Sequence, residues 1–173
     1  MQRARRSRCC CCPTVTVQTW HYFGADRSNT APHPFCSLRM YLLDTNIVSE
    51  LRKARPHGAV LSWLEGIDDA DLHLCAVTLG EIQAGIEITR EKDAIRAAAI
   101  EAWADQVELA YNVLFMDVAI YRLGAKLMHR KSSALYEDAM IAACAIRHNL
   151  TLVTRNIRDF KQFNVPLLNP FGN

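Results

Sequence analysis

A short apolar run that ends in a polar cluster, residues 40–46, constrains the fold more than any other stretch of this sequence. Met40–Leu43 read as a buried strand, Asp44 and Thr45 follow at once, and a helical pattern begins at Ile47. In an open α/β sheet, ligand sites lie outside the carboxyl ends of the strands. Asp44 is therefore the first candidate for a catalytic residue, and helix capping by Asp44 or Thr45 is the competing interpretation.

The chain after Met40 alternates between strand patterns and helix patterns. We predict strands at residues 40–44, 72–76, 113–116 and 151–154, and an edge strand at 165–168. We predict helices at residues 45–53, 59–65, 78–88, 91–111, 117–131 and 137–148. Strands separated by helices favour parallel pairing with right-handed crossovers. The predicted class is α/β, with a mostly parallel central sheet of four to five strands.

Residues 1–39 differ in composition from the rest of the chain. They show neither helical nor strand periodicity, and they hold six Arg against one Asp. Their net charge of +5 leaves −3 for residues 40–173 out of the +2 of the whole chain, so bulk charge does not make the remainder a nucleic-acid binder. We expect a disordered or loosely packed extension at 1–39 and one domain at 40–173. One hypothesis is that translation starts at Met40 and the extension is a start-site artefact; the alternative is a basic tail that contacts nucleic acid.

Several common classes of protein are excluded by what the sequence lacks. No apolar run reaches the ~18 to 20 residues that span a bilayer, and no apolar segment follows the N-terminal arginines, so we expect a soluble, cytoplasmic protein. Cys9–Cys12 lack zinc-site spacing, while Cys75 and Cys144 are expected to be buried in the core. There is no G-x-x-x-x-G-K-[ST], G-x-G-x-x-G or G-x-S-x-G motif, which argues against nucleotide-binding loops and a serine-hydrolase elbow.

Acidic residues recur where the predicted strands end and the helices begin. Asp44 follows the first strand, Glu81 lies in the first turn after the second, Asp138 begins a helix, and Asp159 follows the fourth strand. Such positions meet at one edge of a parallel sheet. Carboxylates gathered there repel one another unless a divalent cation neutralises them, and oxygen ligands suit Mg²⁺ or Mn²⁺. A site of this kind activates water for phosphodiester hydrolysis, which is nuclease chemistry.

Each of these acids also has a purely structural interpretation. Thr78 and Glu81 fit a capping box, Asp138 suits the positive end of a helix dipole, and Asp159 suits a solvated loop. We assign Asp117, after the third strand, to helix capping because its helix has no further polar partner. The functional interpretation therefore depends on the set of acids and not on a single member.

Four segments together resemble the PIN-domain family. They are Leu43–Asn46, Ala76–Gly85, Glu137–Ala143 and Leu152–Phe160, followed by a C-terminal Asn169-Pro170-Phe171. Within the family, residues 40–173 are most similar to the VapC-type toxins of bacterial type II toxin–antitoxin modules, in the branch of the plasmid stability protein StbB. The resemblance implies a three-layer α/β/α fold and a Mg²⁺-dependent endoribonuclease, with Mn²⁺ as an alternative metal. It also implies a homodimer and a small antitoxin partner that blocks RNA cleavage.

The resemblance also implies roles for individual acids. Asp44 and Asp138 would be the principal metal ligands, and Glu81 would help to place the attacking water. The fourth acid of the family usually falls where this chain has Asn156, with Asp159 three residues later, and both remain candidates for the fourth role. Because an amide adds no negative charge, the site should favour one metal ion over two.

Basic residues near these acids are candidates for holding the RNA backbone. Arg155, Arg158 and Lys161, together with residues 129–131, form a predicted basic rim around an acidic centre, and Thr154 is a further phosphate contact. The alternative is that these cations are only solvated helix ends. Two rival functions remain: a PIN-fold nuclease that acts on DNA or in RNA processing without an antitoxin, and a catalytically silent nucleic-acid-binding accessory of plasmid maintenance.

Overall fold

The computed structural model describes residues 39–172, so the expectations for residues 1–38, including Cys9–Cys12, lie outside the described residues. The strands in this part of the chain are β1 (Tyr41–Leu43), β2 (Leu72–Cys75), β3 (Asn112–Leu114), β4 (Thr151–Val153) and β5 (Leu167–Leu168). They form one sheet in the order β3-β2-β1-β4-β5, and all neighbouring pairs are parallel. The predicted α/β class and parallel sheet are confirmed.

Helices cover both faces of this sheet. They are α1 (Thr45–Glu50), α2 (Gly58–Glu65), α3 (Ala76–Arg90), α4 (Ala94–Ala110), α5 (Val118–Leu127), α6 (Tyr136–His148) and α7 (Ile157–Phe160). Apolar residues of α1 to α4 pack on one face, and those of α5 to α7 pack on the other, which gives the three-layer α/β/α arrangement. None of the helices within residues 39–172 combines the length and hydrophobicity of a membrane-spanning segment.

Strand β1 lies at the centre of the sheet and is buried on both faces. Leu42 packs with Leu152 and the apolar residues of α6, whereas Leu43 packs on the opposite face with Ile47 and Val153. Two-sided burial explains why the strand reads as a continuous apolar run and not as an alternating one. The central position of β1 also places the residue that follows it, Asp44, in the middle of the sheet's carboxyl edge.

Two of the wrong helix boundaries and one helix that was not predicted are informative. Helix α3 begins at Ala76, directly after β2, and not at Thr78. Helix α5 ends at Leu127 and not at residue 131, because Arg130 adopts a left-handed backbone conformation (φ 59°) that cannot continue a helix. The short helix α7 was not predicted, and it places Asp159 in a helical turn where the sequence suggested a loop.

The two cysteines after Met40 are free and fully buried, as predicted. Cys75 lies at the end of β2 and Cys144 lies on α6. The Cys75 thiol contacts the thioether sulfur of Met116 at 3.4 Å. These sulfur atoms therefore belong to the apolar core between the sheet and α6.

Candidate active site

The carboxyl ends of β1 and β4 form the switch point of the sheet, where the strand order changes direction. Crevices of this kind are the usual ligand sites of doubly wound folds. Asp44 follows β1 and Thr154 follows β4, and the Thr154 hydroxyl donates a hydrogen bond to Asp44 Oδ2 at 2.6 Å. The first candidate residue therefore lies at the position that the topology favours for a site.

Asp44 is held rigidly and is almost fully buried, with 6% of its surface exposed. It is the N-cap residue of α1, where its Oδ1 accepts from the Thr45 amide at 2.8 Å, and its Oδ2 accepts from Asn46 Nδ2 at 2.5 Å. Burial raises the pKa of Asp44, and the hydrogen bonds from Thr154, Thr45 and Asn46 partly offset that rise. The capping interpretation is geometrically correct for Oδ1, while Oδ2 belongs to a hydrogen-bond network with Asn46 and Thr154.

The Thr154 hydroxyl makes three of the hydrogen bonds in that network. Besides donating to Asp44, its hydroxyl accepts from Asn46 Nδ2 at 3.1 Å and from the Asn156 amide at 2.9 Å. Asn46 in turn accepts from the Arg155 amide at 3.0 Å. The hydroxyl is therefore fully satisfied, and it ties the start of α1 to the segment that follows β4.

Removing this hydroxyl is expected to destabilise the protein. In Thr154→Val, the buried Asp44 carboxylate loses a donor and the Asn156 amide loses its acceptor, which should lower the free energy of unfolding by about 2 kcal/mol. Thr154→Ser keeps the hydroxyl and is the matched control, for which a smaller loss is expected. Urea unfolding of the three proteins measures both values, and equal losses in the two variants would contradict a role for the hydrogen bonds.

Glu81 of α3 is connected to the site by a residue of α1, Thr45, and not by a residue of its own helix. Its carboxylate accepts a hydrogen bond from the Thr45 hydroxyl. The predicted capping box with Thr78 is wrong: Cys75 is the N-cap residue, and the buried Thr78 hydroxyl has no hydrogen-bond partner within residues 39–172. Burial raises the pKa of Glu81, the Thr45 hydrogen bond opposes this, and nearby negative charge, first that of Asp44, raises it further.

Asp138 lies in the first turn of α6 and has the clearest electrostatic perturbation of the site. Its pKa is raised to about 6, first by burial and then by the negative charges of Asp44, Asp159, Glu81 and Glu137. In the part of the chain that the structure describes, no group donates a hydrogen bond to this carboxylate. The surroundings of Asp138 therefore destabilise its ionised form, and no described hydrogen-bond donor or cation stabilises it.

The two candidates for the fourth position form a pair. Asn156 immediately precedes α7, and its Nδ2 donates to Asp159 Oδ2 at 2.8 Å. The Asp159 carboxylate is also one of the charges that raise the pKa of Asp138. Both side chains thus border the acidic crevice, and the amide holds the carboxylate in place.

The two arginines proposed for substrate binding differ in their surroundings. The Arg155 guanidinium lies 5.1 Å from the centre of the Phe171 ring, and the centre of the His57 ring lies 5.2 Å from the same point. Arg158 is exposed on α7 and makes none of these contacts. The Arg155 backbone amide is therefore connected to Asp44 through the side chain of Asn46. Within the described part of the chain, Arg158 has no such connection.

The chemistry of the donors suits a hard divalent cation. The ion pairs within residues 39–172 join Lys53 to Glu50 and Arg90 to Glu87 and Glu101, so the crevice acids have no described cationic partner. No three Asp, Glu, His or Cys side chains in this described range are gathered closely enough to hold a metal ion. The carboxylates are therefore suitable ligands for a hard divalent cation, and no described cation neutralises them. To bind such an ion, their side chains would have to move closer together.

Two polar residues of the site were missed as candidates at the sequence level. Thr45 positions Glu81, and Asn46 bridges Asp44, Thr154 and the backbone after β4. The available signal was their place in the polar cluster at the end of β1. That cluster was interpreted mainly through its one carboxylate.

Comparisons with known proteins identify the family to which this fold belongs. Residues 41–165 match the family model described as PIN domain. The plasmid stability protein StbB of Pseudomonas syringae pv. tomato is 29% identical over 76% of this chain and 99% of its own length. The VapC ribonuclease Y4jK of Sinorhizobium fredii is 32% identical over 76% of this chain and 98% of its own length. The crystal structure of FitAcB from Neisseria gonorrhoeae matches 78% of this chain and all of the compared chain, with 27% identity and a TM-score of 0.68.

Proposed function

The chain belongs to the PIN domain family, and we propose that it is the toxin of a type II toxin–antitoxin module, an endoribonuclease that uses a divalent metal ion. One observation carries the proposal: at the carboxyl edge of the sheet the charges of Asp44, Asp159 and Glu81 raise the pKa of Asp138, and no described cation neutralises these acids. The name of the 32% identical relative, a VapC ribonuclease, supports RNA as the substrate. A single role as helix caps would not explain why the acids share a crevice.

Asp44 and Asp138 are the proposed metal ligands. A bound Mg²⁺ or Mn²⁺ would supply the positive charge that lowers the pKa of a water molecule and offsets the charge of the phosphodiester transition state. Asp44 is pre-positioned for this by three hydrogen bonds, whereas Asp138 is free of described donors and can turn toward an ion. Burial among like charges favours cation binding, because an ion removes the repulsion that these carboxylates experience.

Glu81 is the proposed acceptor of the proton from the attacking water. Its raised pKa brings the carboxyl closer to the working pH, which makes it a better base than a solvated glutamate. The Thr45 hydroxyl holds one of its oxygens and leaves the other available. Thr154 and Asn46 keep Asp44 in position, and the exposed Arg155 is the proposed backbone contact on the RNA.

The proposed antitoxin gives the simplest test of the whole assignment. Induced expression of the full chain in a bacterial host should arrest growth, and the product of the adjoining small reading frame should relieve the arrest. Asp44→Asn, which removes a proposed ligand, should not arrest growth at matched protein levels. Growth arrest by Asp44→Asn would contradict the nuclease assignment. Arrest by the wild type that the adjoining gene product does not relieve would favour a PIN nuclease without an antitoxin.

An exposed apolar patch supports the proposed homodimer. Phe115 follows the edge strand β3, and Val118 and Tyr121 lie one turn apart on α5; their exposed fractions are 82%, 76% and 51%. Large apolar side chains grouped on a surface mark interaction sites more often than isolated ones do. The patch lies at an edge of the sheet, where a second copy can pair with it.

A charge in this patch is expected to separate the dimer. Phe115→Glu should shift the full-length protein from a dimer to a monomer in sedimentation analysis at micromolar concentration, since it places a carboxylate in an apolar interface. Ile95→Glu makes the same change at an equally exposed residue, 86%, at the start of α4 and should remain dimeric. A dimeric Phe115→Glu protein would place the interface elsewhere.

A further inference from the structure

A second cleft lies beside the acidic crevice, between α1, α3 and α4, and has a volume of about 160 Å³. Thr45 and Glu81 of the candidate active site belong to its lining. So does Arg52, which lies two residues after the end of α1. The cleft therefore extends from one acid of the candidate active site, Glu81, to a basic residue.

The cleft has an apolar floor and a flat aromatic wall. Ile82, Ile86 and Ile100 form the floor and are buried. Trp103 of α4 is half-buried in the wall, and the Arg52 guanidinium lies 5.9 Å from the centre of its ring. A planar ring next to a cation is the arrangement on which nucleobases stack in proteins that bind single strands.

Two side chains that line the cleft, Arg52 and Ser49, have no described polar partner. Within residues 39–172, no carboxylate pairs with Arg52, and no hydrogen bond engages the Ser49 hydroxyl. A guanidinium without a carboxylate is free to bind a phosphate, and a free hydroxyl can bond to the edge of a base. Arg52 and Ser49 therefore suit the polar groups of a nucleotide, and the isoleucines of the floor suit the apolar face of its base.

Resting on the proposed ribonuclease function, we propose that this cleft binds one nucleobase of the RNA strand next to the bond that is cut. The base stacks on Trp103, Ser49 contacts its edge, and Arg52 binds the neighbouring phosphate. The shared Glu81 connects the base site with the acids that act on the phosphodiester.

The size of the cleft favours a single base over other occupants. Pockets for drug-sized ligands measure roughly 300 to 1,000 Å³, so about 160 Å³ suits one ring system. Unpaired RNA is read through splayed bases that stack on aromatic side chains, and Trp103 offers such a plane in the cleft. A base held here would make the choice of cleavage site depend on the nucleotide beside the scissile bond.

Steady-state cleavage by variants of the full chain tests the proposal. Trp103→Leu should raise KM for RNA about tenfold and leave kcat nearly unchanged, whereas Trp103→Phe should retain most of the affinity. Trp63→Leu is the matched control, because Trp63 is also half-buried in the same core but packs against Tyr41 outside the cleft. An unchanged KM in Trp103→Leu would overturn the base site while leaving the ribonuclease standing.

Nucleoside binding separates the base site from the nuclease. In EDTA, adenosine should shift the indole N–H resonance of Trp103, assigned through Trp103→Phe, and ribose at equal concentration should not. If adenosine shifts this resonance but the folded protein cuts no RNA, the base site is supported and the proposed ribonuclease function is contradicted. Equal responses to adenosine and ribose would overturn the base site. So would a Trp103→Leu protein that cuts RNA normally but escapes its antitoxin, since the cleft would then serve the antitoxin.

Discussion

Asp44→Asn is expected to slow RNA cleavage about a thousandfold, because it removes a proposed metal ligand that the fold holds at the switch point. The amide keeps the shape of the side chain and still caps α1. Loss of charge relieves the burial penalty but weakens the hydrogen bonds from Thr154 and Asn46, so the free energy of unfolding should change by less than about 1 kcal/mol. Single-turnover cleavage and urea unfolding measure the two effects.

Asp117→Asn is the matched control for this experiment. Asp117 also caps a helix, accepting from the Ile120 amide at 2.8 Å at the start of α5, as predicted from the sequence. If Asp44 acts only as a cap, the two variants should cleave RNA equally well. A thousandfold difference between two capping aspartates would assign chemistry to one of them.

Asp138→Asn is expected to abolish cleavage and, at the same time, to stabilise the metal-free protein. Burial and neighbouring acids raise the pKa of Asp138 from its ordinary value of 3.8 to about 6. A raised carboxyl pKa means that the folded state binds a proton more tightly than the unfolded state does, so ionisation at higher pH destabilises the fold. After allowance for the half-exposed side chain, the penalty at about pH 8 is roughly 1 kcal/mol.

This stabilisation should depend on pH in a defined direction. Above about pH 6 the penalty is complete, and it fades as the pH falls toward 3.8. In EDTA, Asp138→Asn should raise Tm by about 3 °C at about pH 8 and by clearly less at about pH 4.5. Asp105→Asn, at an exposed aspartate of α4, changes the net charge equally and should show no such gain. An equal gain at both pH values would contradict the electrostatic origin.

The features that could be predicted from the sequence depend on local patterns. The apolar run before Asp44 predicts a strand buried on both faces, and the alternation of strands and helices predicts parallel pairing. Once the sheet is parallel, acids that follow its strands must lie at the same edge. The placement of Asp44 and Glu81 follows from this rule, and Asp138 reaches the same edge because it lies in the first turn of the helix that runs back to the start of β4.

The features that could not be predicted depend on partners far apart in the chain. Thr78 and Glu81 match the capping-box spacing, but β2 leads directly into α3, so the helix starts at Ala76 and Glu81 instead takes its hydrogen bond from Thr45. No spacing rule links residues 36 positions apart. The contact of Arg52 with Trp103 is non-local in the same way, because it requires that α1 and α4 pack beside α3.

Cleavage of a labelled RNA pool by the full-length protein tests the central claim most directly. The rate is compared in Mg²⁺, in EDTA and after Mg²⁺ is restored, with circular dichroism to verify that the protein stays folded. We expect cleavage in Mg²⁺, its loss in EDTA and its recovery on restoration, because the unneutralised carboxylates of the crevice require a cation. Cleavage that persists in EDTA, or a folded protein that cuts no RNA with any divalent metal, would contradict the account.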